Sequence, residues 1–174
     1  MAVTTPVSNR QQIWLGLGAN LDCPSVRLDE AVERLSRLAE CRLLGRSAWF
    51  GSRAWGVEDQ PDFVNGCVLI ETCLTPLALL LQCQAIERGM GRQRIRRWGE
   101  RRIDIDLLCH QGAALTTPEL ILPHPWLEQR AFVLAPLADL SPRLVLPSTT
   151  PVQQALRRLM AGHAEPPVWR LPGN

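Results

Sequence analysis

Two aspartates, Asp104 and Asp106, lie in a segment in which apolar and acidic residues alternate, residues 103–108. This alternation indicates a half-buried strand, so both carboxylates should project from one face, about 6–7 Å apart along the backbone. Parallel carboxylates repel each other unless a cation lies between them, and oxygen ligands suit a hard cation such as Mg²⁺. The pair therefore predicts a magnesium site, although such a pair can also be simply the solvated face of an edge strand.

Arginines crowd the segment immediately before this strand. Residues 88–102 contain seven arginines and one acidic residue, whereas the rest of the chain has more acidic than basic residues. Arginine forms bidentate contacts with phosphate, and charge focused on a short segment suits a small anion such as ATP better than a long nucleic acid. Together with the aspartates, the arginines suggest phosphoryl or pyrophosphoryl transfer from a nucleotide, with an RNA-binding loop as the alternative.

The composition of the 174-residue chain limits its class. With 46% hydrophobic residues and a formal net charge of +2, the sequence is typical of a single globular domain. The sequence contains no lysine, which excludes a Walker A loop and Schiff-base chemistry. Its six cysteines form no C-x-x-C pair, which favours reduced thiols in a cytoplasmic protein. We predict no membrane partner, because no apolar run reaches the roughly 18 residues of a spanning helix.

Strands and helices must hold these residues in place. Apolar patterns predict strands over residues 13–18, 42–50, 63–72 and 103–108, with one helix after the first strand and one after the third. The order β-α-β-β-α-β predicts an α+β, ferredoxin-like sandwich, an antiparallel sheet with helices packed on one face. We expect a single domain over residues 1–174, with residues 1–10 and about 161–174 as flexible tails.

Capping residues predict where the two helices begin. Asp22 or Ser25 should cap the first helix, since Pro24 suits its first turn. Thr75 should cap the second helix, which extends to about Gly89. The inner stripes are predicted to be Leu28, Val32, Leu35 and Leu38 in the first helix and Leu77, Leu80 and Leu81 in the second.

Phe63 and Asn65 should share one face of the third strand, because they are two residues apart. An amide beside an aromatic ring offers a donor and an acceptor for the edge of a heterocycle, although a cross-strand hydrogen bond would also explain it. The preceding loop, residues 51–62, contains Trp55, which is either part of a substrate lid or a loop aromatic tucked against the core.

The most specific pattern is the segment RWGERRIDIDLL, residues 97–108, which matches the signature R-W-G-x-R-x-x-D-[LIV]-D-[LIVM]-[LIVM]. Supporting pieces occur in the same order at residues 18–21, 59–65, 86–92 and 123–134. On these motifs the chain, over about residues 13–147, resembles the 6-hydroxymethyl-7,8-dihydropterin pyrophosphokinase family of the folate pathway. The resemblance implies transfer of the terminal diphosphate of ATP to the pterin hydroxymethyl group, with release of AMP.

The resemblance also implies residue roles, a monomer and no nucleic-acid partner. Two Mg²⁺ ions would bind Asp104 and Asp106, which with Arg92 and Arg101 form the implied catalytic set. The implied ATP-binding residues are Gln84, Glu87, Arg92, Arg94, Trp98, Arg101, Leu107, His124 and Arg130. The implied pterin-binding residues are Ser52, Arg53, Trp55, Phe63, Asn65, Trp98 and Phe132, with the pterin stacked between the two phenylalanines.

Four departures from the family pattern leave both metal ligands intact. Ala19 replaces a serine, Ser52 and Arg53 replace Thr-Pro, Trp55 replaces a smaller apolar residue, and Glu100 replaces a proline. Two other functions remain as alternatives, a catalytically weak paralogue that only binds pterin or nucleotide, and an RNA-binding domain. The RNA-binding alternative lacks the paired aromatics and the Lys/Arg-Gly-Phe motif of an RNA recognition domain.

Overall fold

The sheet is built around its first strand. The computed structural model describes residues 10–54, 60–92, 100–111, 114–162 and 167–173. Its strands are β1 (Gln11–Ala19), β2 (Cys41–Arg46), β3 (Phe50–Ser52), β4 (Phe63–Thr72), β5 (Asp104–His110), β6 (Leu115–Thr116), β7 (Ile121–Leu122) and β8 (Val168–Arg170). Its helices are α1 (Pro24–Ser36), α2 (Pro76–Gly89), α3 (Ala131–Leu140) and α4 (Val152–Ala161). β1 pairs antiparallel with β4 on one side and with β5 on the other, so it is the central strand.

The two faces of the sheet are covered differently. The odd-numbered residues of β1, such as Ile13 and Leu15, pack with Leu28 of α1 and Leu79 of α2 in the main core. The opposite face carries a second cluster in which Trp14 packs with leucines of α3. The predicted α+β, ferredoxin-like architecture is confirmed, and α3 with α4 adds a cover over one half of the second face. In the described part of the chain, a cleft and not a helix lies over the other half of that face.

The predicted strand over residues 42–50 is divided into β2 and β3, which both pair with the long strand β4. Between β2 and β3, Ser47 bonds to β4 through its side chain, since the Cys67 backbone N–H donates to Ser47 Oγ at 2.9 Å. The Ser47 N–H in turn donates to the Cys67 carbonyl at 2.8 Å. A side-chain hydrogen bond thus replaces one bond of the ladder, which the apolar pattern did not indicate.

One predicted helix start is confirmed and the other is wrong. Thr75 Oγ1 accepts a hydrogen bond from the Ala78 N–H at 3.2 Å, and α2 ends at Gly89 as predicted. The N-cap of α1 is Cys23 in a left-handed conformation, φ 59°, and not Asp22 or Ser25. Asp22 instead forms an ion pair with Arg102 at 2.9 Å.

The inner stripe predicted for α2 was wrong for two of its three leucines, since only Leu80 packs against the main core. Leu81 is 62% exposed and Leu77 36% exposed, whereas Leu80 is only partly buried. The buried face consists of Leu79, Cys83, Ile86 and Glu87. Leucines occur on every side of this helix, so they could not indicate which side packs on the sheet.

The C-terminal segment, predicted as a flexible tail, contains the edge strand β8. It pairs antiparallel with β3, with Trp169 opposite Gly51. A Cβ atom at Gly51 would lie 2.3 Å from the Trp169 ring, so the ring occupies the space that a side chain would need. β3 is therefore held between β4 and β8. Among the described residues, no helix combines the length and the apolar character needed to cross a membrane.

Candidate active site

A cleft lies on the open half of the second face, and glycines form its floor. Gly18 of β1 pairs with Asn65 of β4 on one side and with Asp104 of β5 on the other. Gly16, two residues earlier, pairs with Asp106. Because glycine has no side chain, the Leu108 side chain and Asn65 Oδ1 approach to 3.1 and 3.4 Å of where a Cβ atom would lie at Gly16 and Gly18. Predicted site residues that line this cleft are Ser52, Arg53, Phe63, Asn65, Arg101, Asp104, Asp106, His124, Arg130 and Phe132.

The predicted alternation along β5 is confirmed. Ile105 and Leu107 are buried in the main core, whereas Asp104 and Asp106 face the cleft. Asp104 is 7% exposed, and Asp106 is more accessible. Burial of its carboxyl group, followed by the charge of Asp104, raises the pKa of Asp106 to about 7, although Arg101 opposes this rise.

The raised pKa of Asp106 leads to a prediction about stability. A carboxyl group whose folded-state pKa exceeds its unfolded value of 3.8 destabilises the fold progressively as the pH rises from about 4 to about 7. Asp106→Asn should therefore raise the melting temperature of the metal-free protein at pH 8 and have little effect at pH 4. Thermal melts at both pH values test this. If Asp106→Asn lowered the melting temperature equally at both pH values, the ionised carboxylate of Asp106 would not destabilise the fold.

Two arginines neutralise the buried carboxylate of Asp104. Arg92 Nη2 lies 2.7 Å from Asp104 Oδ1, and Arg101 forms a second ion pair with Oδ2. Glu87 of α2, which is 4% exposed, accepts a hydrogen bond from Arg92 and another from the Ile105 N–H at 2.7 Å. Burial lowers the pKa of Arg92, but the hydrogen bond to Glu87 and the charge of Asp104 outweigh it and raise the pKa overall. Glu87 thus anchors Arg92 beside β5.

The two aspartates fit a hard divalent cation. Asp104 Oδ1 is buried and accepts no hydrogen bond from the described residues, its contact with Arg92 being an ion pair only. Within the described ranges, no group of three or more His, Cys, Asp or Glu side chains could hold a metal. Among the described residues the site offers two carboxylates, so water and phosphate oxygens would complete the coordination of any bound ion. This ligand set is typical of Mg²⁺ bound together with a nucleotide.

Aromatic rings with nearby guanidinium groups form the other side of the cleft. The Arg101 guanidinium carbon lies 5.9 Å from the Phe63 ring centroid, and that of Arg130 lies 5.7 Å from the Phe132 centroid. Phe63 belongs to β4 and Phe132 to the first turn of α3, so the rings approach the cleft from different elements. Each ring offers a π face for a flat heterocycle, and cation–π attraction steadies the paired arginine.

Asn65 both lines the cleft and forms the cross-strand hydrogen bond that was the alternative explanation. Its Nδ2 donates to Ser52 Oγ at 2.9 Å, which ties β4 to β3. The bond fixes the orientation of the amide group, and it places the Ser52 hydroxyl beside it in the same cleft. The two interpretations of Asn65 are therefore compatible.

His124 is held as a neutral imidazole. Its Nδ1 accepts a hydrogen bond from the Trp126 N–H at 3.1 Å, which assigns the ring proton to Nε2. Its backbone N–H donates to the Leu108 carbonyl at 2.7 Å. Burial, followed by the charge of Arg130, lowers the pKa of His124. The ring can therefore donate one hydrogen bond near neutral pH.

Some predicted site residues lie elsewhere. Leu107 is 2% exposed in the main core, whereas its neighbour Leu108 lines the cleft, on the same face of β5 as Asp104 and Asp106. Gln84 and Glu87 lie on α2 and do not line the cleft, although Glu87 reaches it through Arg92. Trp55, Arg94 and Trp98 lie outside the described residues.

Four residues that matter to this cleft were not among the predicted site residues, although Gly18, Asn20 and Gln60 lie in the motif pieces 18–21 and 59–65. Gly16 and Gly18 form its floor, Gln60 lines it, and Asn20 binds the segments on both sides of it. The Gly-x-Gly spacing within a buried strand was the available signal, because glycine inside a strand often marks a close approach of a ligand.

Paired carboxylates, guanidinium groups and stacking rings on one face of a ferredoxin-like sheet define the class of a phosphate-handling transferase. The family model described as 7,8-dihydro-6-hydroxymethylpterin-pyrophosphokinase (HPPK) matches residues 14–142. The chain belongs to this family of pyrophosphokinases.

Curated relatives agree with the family match. A Methylorubrum extorquens protein named 2-amino-4-hydroxy-6-hydroxymethyldihydropteridine pyrophosphokinase is 45% identical over 146 residues, which cover 84% of this chain and 92% of the relative. A Pseudomonas aeruginosa protein of the same name is 42% identical, with coverage of 94% and 98%. A crystal structure of HPPK-DHPS in complex with substrates has a TM-score of 0.69 at 16% identity, so it shows the fold alone. It matches 88% of this chain, which spans 44% of that longer chain.

Proposed function

We propose that this enzyme transfers diphosphate from ATP to the hydroxymethyl group of 6-hydroxymethyl-7,8-dihydropterin, in a Mg²⁺-dependent reaction of folate biosynthesis. The observation that carries this proposal is the arrangement across β1. An amide and an aromatic ring, Asn65 and Phe63, lie on one side of the glycine floor, and Asp104 and Asp106 lie on the other. The names of the curated relatives supply the substrate and the type of transfer.

The pterin would occupy the side of the cleft that is formed by β3, β4 and α3. Phe63 and Phe132 offer the two ring faces between which a flat heterocycle stacks. Asn65 and Ser52 present an amide and a hydroxyl group to its polar edge, and their mutual hydrogen bond orients both before binding. This leaves the hydroxymethyl group directed across the glycine floor, towards β5.

The triphosphate would lie over β5, where positive charge is concentrated. Arg92, Arg101 and Arg130 supply guanidinium groups, and His124 supplies a neutral N–H donor. Asp104 and Asp106 would hold Mg²⁺, which when bound neutralises the phosphates and aligns them for in-line attack. Arg92 and Arg101 now pair with Asp104, so they must turn towards the phosphates as these arrive. The hydroxymethyl oxygen of the pterin attacks the β-phosphorus of ATP. The bond between the β-phosphorus and the oxygen that bridges it to the α-phosphorus breaks, and AMP is released.

An incubation with ATP, Mg²⁺ and the hydroxymethyl pterin tests this function. We expect equimolar AMP and pterin diphosphate, no product without the pterin, and no product when EDTA removes the metal. ADP with a pterin monophosphate would overturn the proposal, because it would mean transfer of one phosphoryl group only.

Pterin recognition by Asn65 gives a separate prediction. Asn65→Ala leaves the polar edge of the pterin and the Ser52 hydroxyl without a partner, which should cost about 1–3 kcal/mol of pterin affinity. ATP affinity should barely change, because Asn65 lies across the glycine floor from β5. Titration calorimetry with each ligand measures both. Equal losses for the two ligands would show that Asn65 maintains the fold and does not read the pterin.

We further propose that the enzyme acts as a monomer in the cytoplasm. All six cysteines lie outside disulfide bonds, which favours a reducing compartment. Light scattering after gel filtration would test the monomer.

A further inference from the structure

Asn20 binds both polar backbone atoms of Arg101. This asparagine directly follows β1 and is 3% exposed. Its Oδ1 accepts a hydrogen bond from the Arg101 N–H at 2.8 Å, and its own backbone N–H donates to the Arg101 carbonyl at 3.0 Å. The backbone of Arg101, whose guanidinium group lies between Asp104 and the Phe63 ring, is therefore fixed to the end of the central strand.

The other end of the same amide binds the opposite wall of the cleft. Nδ2 of Asn20 donates to the Pro61 carbonyl at 3.2 Å and to Gln60 Oε1 at 3.3 Å. Pro61 lies two residues before Phe63, at the point where the chain enters β4, and Gln60 lines the cleft. One side chain thus connects the segment that carries Phe63 with the segment that carries Arg101.

The contacts require both a donor and an acceptor on a short planar group. An aspartate at position 20 would retain the acceptor for the Arg101 N–H but would lack the donor for the Pro61 carbonyl. An alanine would lose both. Asn20 itself does not line the cleft, so it can affect the reaction only through the residues that it holds.

From these contacts we infer that Asn20 is a positioning residue. It fixes the position of the pterin side of the cleft relative to Arg101. The inference rests on the proposed function, since it assigns Phe63 to the pterin and Arg101 to the phosphates. β1 is paired on both sides, so an amide at its end fastens two loops to the centre of the sheet. A displacement of either loop by about 1 Å would be enough to lower the rate about 10²-fold.

Amide hydrogen exchange tests the connection without any substrate. In Asn20→Ala, exchange should accelerate together at the amides of Arg101, Asp62 and Phe63, while Leu15 and Ile105 stay protected. In Asn20→Asp, Asp62 and Phe63 should lose protection while Arg101 keeps it. Unchanged exchange at either segment in Asn20→Ala would overturn the inference.

Thr72→Val provides a matched control for a buried hydrogen-bonding residue at the far end of β4. Thr72 is fully buried, donates to the Glu40 carbonyl at 2.8 Å and accepts from the Leu74 N–H at 3.1 Å. This variant should melt at a lower temperature with normal kinetic constants. If Asn20→Ala behaved in the same way, Asn20 would be a stability residue only and the inference would fail.

Kinetics of the same variants separate positioning from stability. Asn20→Asp should raise KM for the pterin about tenfold, through loss of one hydrogen bond to the loop, with kcat changed little. Asn20→Ala should lower kcat as well, for a combined loss of about 10²-fold in kcat/KM. If Asn20→Asp lowered kcat and left the pterin KM unchanged, this would contradict the assignment of Nδ2 to the pterin side of the cleft and of Oδ1 to Arg101. An inactive wild-type protein would refute the proposed function, whereas the exchange experiment would still decide whether Asn20 connects the two segments.

Discussion

Replacing Asp104 with alanine should lower the turnover number by about 10³-fold or more while the protein remains folded. Asp104 is the carboxylate on which Arg92 and Arg101 converge, and it shares the cleft face of β5 with Asp106. Its removal takes away a ligand for the cation and the group that holds both arginines near the phosphates. Initial rates against Mg²⁺ concentration measure the loss. Near-normal activity of Asp104→Ala at saturating Mg²⁺ would remove the metal site from the mechanism.

A double variant and a control on the same strand sharpen this test. Because both aspartates would bind the same metal site, the double variant Asp104→Ala with Asp106→Ala should lower the turnover number much less than the product of the two single effects. Ile105→Val changes the residue between them, whose side chain lies in the main core. That substitution should lower the free energy of unfolding by about 0.5–1.5 kcal/mol and leave the specific activity nearly unchanged.

Arg92→Ala should lower turnover by about 10²–10³-fold and weaken ATP binding far less. Glu87 and Asp104 hold Arg92 beside β5, so under the proposed function its guanidinium group needs only to turn from Asp104 towards the phosphates. A group that acts mainly in the transition state affects kcat more than ground-state affinity. Single-turnover rates and nucleotide titrations measure the two effects.

Two further variants serve as controls for Arg92. Arg92→Lys keeps the charge but loses the planar fork that binds Glu87 and Asp104 together, so it should recover only part of the rate. Arg88→Ala removes an exposed arginine of α2 and should leave both the rate and ATP affinity unchanged. If ATP affinity fell in step with the rate in Arg92→Ala, Arg92 would be a ground-state clamp, and its assigned role would be wrong.

Local patterns predicted those parts of the molecule that local chemistry determines. The alternation in residues 103–108 correctly predicted which side chains of β5 face the cleft and which enter the core. Thr75 followed by Pro76 correctly predicted the start of α2. The catalytic and binding roles assigned to the cleft residues stay predictions, because the geometry shows where these residues lie and not what they bind.

Features that depend on distant parts of the chain were not predictable in this way. The orientation of α2 is set by which of its faces meets the sheet, and leucines on all sides concealed it. The division of β2 from β3 depends on a hydrogen bond between Ser47 and Cys67. Asn20 gains its importance from partners 40 and 81 residues away, Gln60 and Arg101, and no spacing motif records such contacts.

The strand β8 has a practical consequence for anyone who shortens this protein. The family match ends at residue 142, so a chain trimmed to that limit would lose Trp169 and its neighbours. Trimming would uncover the outer edge of β3, whose unpaired backbone groups are a template for adding a strand from another molecule. Such a fragment should self-associate edge to edge, and the added strand would lie beside Ser52, which lines the cleft.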